Sequence, residues 1–140
     1  MVFIYEEEQC YVCGAKSPEG LRIEFERIPG GSSIARHTFE ARHQGYDNIV
    51  HGGILAAVLD DTMSHAIISL GLMPVTVEMT TRFRKPTYVG EEMTFEGHVT
   101  KVGRRFVDAS AVGRGPGGVV KVESEGKFII GKVDERAEIS

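Results

Sequence analysis

Residues 52–70 constrain the fold of this chain more than any other segment. They run Gly-Gly-Ile-Leu-Ala-Ala-Val-Leu-Asp-Asp-Thr-Met-Ser-His-Ala-Ile-Ile-Ser-Leu. As a helix this is apolar on nearly every side. Such a helix is buried all round rather than laid on a surface, so the rest of the chain must wrap it. The flanking segments are of the right kind. Residues 21–27 alternate apolar and charged side chains, the pattern of a half-buried strand. Pro29-Gly30-Gly31 turns the chain into residues 33–41, which completes a hairpin. Residues 43–50 read as the loop entering the helix. After Pro74, residues 75–83 alternate strictly. Residues 92–101, 106–113 and 119–130 follow, parted by Pro86, Gly90, Gly103 and Gly115-Pro-Gly-Gly118. The expectation is an α+β domain: a hairpin, one long buried helix, then a meander of four strands. About six antiparallel strands form a curved sheet around the helix.

At 140 residues the chain is expected to be one domain spanning residues 1–140, with residues 1–20 as a lead-in. The net charge of −4 argues against nucleic acid as a partner. No run approaches the ~20 apolar residues of a membrane-spanning helix, and the longest is broken by Asp60 and Asp61. No basic region precedes the first apolar residues, so the N-terminus does not read as a signal peptide. A cytoplasmic location is the default expectation.

The start of the helix carries chemistry. His51-Gly52-Gly53 opens it, and glycine lets a ligand approach the first free N–H groups closely. Those groups and the helix dipole attract a carbonyl oxygen or a developing oxyanion. Asp60, in mid-helix, supplies a carboxylate. An activated carbonyl plus a base or nucleophile suits acyl transfer. Asp60 lies nine residues after His51, on the opposite face and roughly 13 Å away. One substrate carbonyl cannot easily touch both, so a second copy of the chain is expected to supply one of them.

The two cysteines form Cys10-Tyr-Val-Cys13-Gly14. Half of a zinc site and a redox pair are the sharper readings. Zinc normally takes four ligands, and there is no second cysteine pair. A thioredoxin-like site would want a strand before and a helix after, whereas turn residues follow here. A structural or incidental role is the expectation, with no metal and no cofactor.

These residues together resemble the hotdog-fold acyl-CoA thioesterases, within them the group around phenylacetyl-CoA thioesterase. The likeness covers nearly the whole chain. It rests on Cys10-x-x-Cys13-Gly14 with Pro18-x-Gly20-Leu21, on His43-Gln-Gly-Tyr-Asp-Asn-Ile-Val-His-Gly-Gly53, on Asp60, and on Lys85-Pro86-x-x-x-Gly90-Glu91. The resemblance implies that two chains pair edge to edge into one long sheet, and that such dimers pair again into tetramers. It implies that Asp60 acts as nucleophile or general base. It implies that the Gly53 N–H polarises the thioester carbonyl from the partner chain, and that a hydroxyl at Thr76 helps hold the attacking water. Many relatives carry Asn or Gln six residues before the motif histidine. Here Gly45 stands there, with Gln44 one residue earlier, so a bulged loop would be needed for Gln44 to contact the thioester.

Each of these residues also has a plainer reading. Asp61 has His65 one turn on, a ready local pair, whereas Asp60 is surrounded by Ala56, Ala57 and Ser64. That leaves space over the Asp60 carboxylate. His51 could simply hydrogen-bond loop backbone and fix the turn. Thr76 falls, by strand parity, on the face opposite Val75, Val77 and Met79, so it needs a local twist or bulge to meet Asp60. His37, His43 and His98 show no metal-ligand spacing. Arg82, Arg84, Lys85, Lys101, Arg104 and Arg105 are candidates for coenzyme A phosphates. The expected function is hydrolysis of an acyl- or aryl-acyl-CoA to the acid and free coenzyme A. The alternatives are a hotdog-fold hydratase or dehydratase on enoyl or hydroxyacyl thioesters, and a non-catalytic acyl-CoA-binding module.

Overall fold

The computed structural model describes residues 2–3 and 7–133. Its elements are β1 (Val2–Phe3), β2 (Glu26–Ile28), β3 (Ser32–Thr38), α1 (Gly52–Ile68), β4 (Met73–Phe83), β5 (Glu92–Val102), β6 (Phe106–Arg114) and β7 (Val120–Val133). Six strands, β2 to β7, pair antiparallel in the order β2-β3-β5-β6-β7-β4. The two residues of β1, inside the expected lead-in, add parallel to β7. α1 packs against each of the six antiparallel strands. One helix wrapped by a curved antiparallel sheet is the expected architecture.

The alternation that predicts the strands also places the core. Met93 and Phe95 of β5, Val107, Ala109 and Ala111 of β6, and Val122 and Phe128 of β7 all face the helix and are buried. They meet Leu55, Val58, Leu59, Met63 and Ile67 of α1. Gly97 lets the helix come close. A Cβ there would lie 2.5 Å from the Thr62 carbonyl oxygen, so any side chain would push α1 off the sheet. Ser33 Oγ fills the remaining space and donates to that same carbonyl at 2.6 Å.

Three expectations need correction. The last four strands are not a meander: β4 pairs with β7 over ten residues, and β5 pairs with β3 and β6. β4 therefore forms one margin of the antiparallel sheet. Residues 21–27 are not one strand. Arg22 has a left-handed φ of 53°, which breaks the ladder and leaves only Glu26–Ile28 paired with β3. Leu21 and Ile23 instead donate to the carbonyls of Tyr11 and Val12, at 2.7 and 2.8 Å. Finally, α1 is not equally buried all round. Ala56, Ala57, Asp60 and Ser64 are only half-buried and Gly53 is exposed. One sheet covers one side of a helix, and this stripe at helical spacing is the side it leaves partly open.

Candidate active site

β4 brings Thr76 to Asp60. Up to Thr76 the strand runs in register with β7, Thr76 opposite Phe128; the next aligned pair is Glu78 with Lys127. Val77 is thus an extra residue, a β-bulge. Residues directly opposite share a face, and Phe128 is fully buried against the helix. Thr76 therefore points inward, and its Oγ1 donates to Asp60 Oδ1 at 2.6 Å. Beyond the bulge the parity is reversed. Thr81 then faces inward beside Ser124, their hydroxyls 2.7 Å apart. Val75 and Val77 are left 47% and 55% exposed. Simple alternation would have buried them and turned Thr76 away.

Burial holds the Asp60 carboxyl above the usual carboxylate range. The Thr76 hydroxyl opposes that shift, and the neighbouring Asp61 charge adds to it. The result is a half-buried, weakly solvated carboxylate with one oxygen fixed by a hydroxyl. Such a group can take a proton from water or attack a carbonyl.

At the other end of the exposed stripe, His51 is the N-cap of α1. Its Nδ1 accepts from the Gly53 N–H at 2.9 Å. The donor expected to polarise a carbonyl is therefore already capped by the imidazole next to it. The Gly52 N–H, at the same terminus, makes no hydrogen bond among the described residues. Beside it opens a cavity of about 730 Å³, lined by His51, Gly52, Leu55, Phe83, Arg84 and Lys85 among others. Asp60 does not line this cavity.

Gln44 sits on the loop feeding the helix. Its Oε1 accepts from the Asn48 N–H at 3.0 Å, and Gly45 N–H donates to the Ile49 carbonyl at 2.9 Å. The Gln44 carboxamide thus closes its own loop, where Asn48 has a φ of 64°. Of the expected phosphate-binding cations, Arg84 and Lys85 reach the cavity. Arg84 Nε donates to Glu123 Oε1 at 3.1 Å, and Arg82 lies 3.7 Å from Glu125. Arg104 and Arg105 sit at the exposed β5–β6 turn and do not line it. Lys85 has no carboxylate partner among the described residues. Phe83 and Tyr46, which also line the cavity, were not anticipated. Phe83 closes the alternating run of residues 75–83 and is 54% exposed at the end of β4.

Residues 47–125, more than half of the chain, match the family model described as the thioesterase superfamily. Acyl-coenzyme A thioesterase 13 of Mus musculus is 30% identical over 79 residues, 55% of this chain and 56% of that protein. The crystal structure of RHA08564, a thioesterase superfamily protein, superposes with a TM-score of 0.80 at 29% identity. That match covers 84% of this chain and 61% of the other. The E. coli PaaI protein from the phenylacetic acid degradation operon gives 0.74 at 22% identity, over 78% and 83%. This chain thus spans just over half the length of the mouse protein. The match to the family model takes in both the helix N-terminus and the Asp60–Thr76 pair, and on it the chain belongs to the thioesterase superfamily.

Proposed function

We propose that the protein hydrolyses an acyl- or aryl-acyl-CoA thioester to the carboxylic acid and free coenzyme A. It does so as a homodimer with sites shared between chains. The observation that carries this reading is the Asp60 carboxylate held on Thr76 Oγ1. It lies on the half-open stripe of a helix whose N-terminus offers N–H groups beside a cavity. Gly52 and Gly53 are roughly 10–12 Å from Asp60 along the helix, so the glycines of one chain serve the carbonyl and Asp60 of the other serves the water. The free margin of β4, with Val75 and Val77 exposed, supports pairing of two sheets there. The mouse relative's name supports an acyl-CoA as the substrate class.

The thioester oxygen takes the place of His51 Nδ1 on the Gly53 N–H, with the Gly52 N–H as a second donor. Asp60 of the partner accepts a proton from a water that Thr76 helps to hold. The resulting hydroxide adds to the carbonyl carbon. The C–S bond then breaks, and the thiolate of coenzyme A takes up the proton. Lys85, whose ammonium has no carboxylate partner among the described residues, is suited to a phosphate of the coenzyme.

A thiol-release assay over short, long and aromatic acyl-CoAs tests this. Stoichiometric release of coenzyme A with at least one acyl class, abolished in Asp60→Asn, is the expected result. Hydration of an enoyl-CoA without thiol release would move the protein to the hydratases. Binding with neither reaction would make it an acyl-CoA-binding module.

A further inference from the structure

Asp61 follows Asp60 by one residue and points to a different part of the molecule. It faces the N-terminal segment, where it meets the two cysteines. Cys10 Sγ lies 3.9 Å from both Asp61 carboxylate oxygens. The ligating atoms of Cys10, Cys13 and Asp61 all lie within 4.8 Å of one another. The turn that carries the thiols is tightly built. Gly14 N–H donates to the Cys10 carbonyl at 2.8 Å. The Cys13 N–H points at Cys10 Sγ, 3.5 Å away, the donor a thiolate sulfur accepts. A Cβ on Gly14 would lie within 2.6 Å of three backbone atoms, so only glycine closes this turn. One turn along α1, His65 Nε2 approaches Asp61 Oδ2 at 3.4 Å. His65 is itself fixed, stacked on Phe25 with ring centroids 4.5 Å apart.

We propose that Cys10, Cys13 and Asp61 bind one zinc ion, with His65 holding the Asp61 carboxylate in place and solvent at the fourth position. Around a tetrahedral zinc, with bonds of about 2.3 Å to sulfur and 2.1 Å to oxygen, a sulfur and an oxygen ligand sit roughly 3.6 Å apart. The 3.9 Å observed here needs only a few tenths of an ångström of closure. Thiolates with a carboxylate are a donor set for zinc and not for magnesium or calcium. Arg27 Nε donates to His65 Nδ1 at 3.1 Å, so the proton of His65 sits on Nε2, facing Asp61. That makes His65 a donor to the ligand rather than a ligand, the usual arrangement behind a metal-bound group.

Arg27 donates to Glu7 and to His65. On binding, two S–H bonds break, two Zn–S bonds form, and both protons leave to solvent. The ion would tie the N-terminal turn to the middle of α1. Nothing in this proposal depends on the hydrolytic reading, since its readout is metal binding.

The test is a cobalt(II) titration of the full chain, purified under reducing conditions, followed by displacement with zinc(II). The expected result is saturation at one ion per chain. Thiolate-to-cobalt charge-transfer absorption should appear, both thiols should become protected from a thiol reagent, and zinc should bleach the spectrum. Cys10→Ser and Cys13→Ser should each lose about half of that absorption. Asp61→Asn should bind at least about tenfold more weakly. Circular dichroism of each variant guards against loss of fold, and the titration of the unmutated chain stands without them. Absence of charge-transfer absorption at stoichiometric cobalt would overturn the proposal. So would an unchanged affinity in folded Asp61→Asn, or a Cys10–Cys13 disulfide that forms in air as fast with zinc present as without it.

Discussion

Thr76 Oγ1 donates to Asp60 Oδ1 at 2.6 Å because Val77 is an extra residue in β4. Without the bulge, one residue of register would turn either Thr76 or the stretch from Met79 to Phe83 to the wrong face. The bulge lets one strand serve the site at its start and the sheet at its end. A hydrogen bond to a charged acceptor contributes about 1.5–3 kcal/mol. Thr76→Val should therefore lower kcat for thioester hydrolysis about 10- to 100-fold, while Thr76→Ser should stay close to the unmutated rate. Steady-state kinetics of the two variants decide it. Equal rates in both would mean that the hydroxyl only fills space.

Asp60→Asn keeps the shape of the side chain and the acceptor for Thr76. It removes the charge that takes a proton or attacks. The variant should fold, remain dimeric, and lose about 10²- to 10⁴-fold in kcat. Thiol release measured beside a thermal melt separates lost chemistry from lost fold. Near-normal turnover would remove Asp60 from the mechanism.

How much of this was legible in the sequence depends on the range of each interaction. The helix was legible to within two residues, because its apolar run and its opening glycines are local. The pairing of Asp61 with His65 was legible for the same reason: it is one helical turn. The position of β4 was not. Alternation says which residues face inward but not which strand lies alongside, and β4 joins β7 rather than its neighbour in sequence. The need for a bulge at Thr76 was legible as a conflict between parity and chemistry; its place at Val77 was not. The His51–Gly53 bond depends on the cap geometry, with His51 at φ −59° and ψ 130°, which no residue pattern specifies. The contact of Cys10 with Asp61 spans 51 residues and has no sequence period at all.

The His51 cap makes a further distinction measurable. If the imidazole only satisfies the Gly53 N–H until a carbonyl arrives, His51→Ala loses a helix cap of about 1 kcal/mol. It leaves the donor open to the substrate. The melting temperature should fall by a few degrees, and kcat/KM by less than about tenfold. A loss of several orders of magnitude with little change in melting would place the imidazole on the substrate instead.

Two histidines with buried, unpartnered Nε2 atoms among the described residues predict a pH dependence of stability. His43 is 2% exposed; its Nδ1 accepts from the Glu40 N–H at 3.1 Å, and its Nε2 has no partner among the described residues. His37 Nε2 is likewise buried without a partner. Burial lowers the pKa of both below the ordinary 6.5. Above about pH 7 both are neutral folded or unfolded. As the pH falls below 6.5 the unfolded chain takes up protons that the folded chain resists. Stability is therefore lost toward acid. Melting temperatures between pH 7.5 and 5.5 should fall, and His43→Asn, which keeps an acceptor for Glu40, should flatten the slope. An identical slope in that variant would assign the acid sensitivity elsewhere.

The shared site has the sharpest test. Gly52 and Gly53 lie at the N-terminus of α1 and Asp60 two turns further along the helix, roughly 10–12 Å away, so one carbonyl should meet the glycines of one chain and the acid of the other. Gly53→Pro removes the donor N–H; Asp60→Asn removes the acid. Each alone should be nearly inactive. Unfolded and refolded together in equal amounts, about half of the dimers should be mixed. A mixed dimer has one site with both defects and one with neither. Activity should return to about a quarter of the unmutated level if chains pair at random. Each variant refolded alone must give a folded dimer, since proline at that turn could block folding; if it does, Gly53→Val, which crowds the same N–H, takes its place. Folded controls with a mixture that stays inactive would mean that both groups act within one chain. The cavity beside Gly52 would then have to reach Asp60 along its own helix, past Ala56 and Ala57.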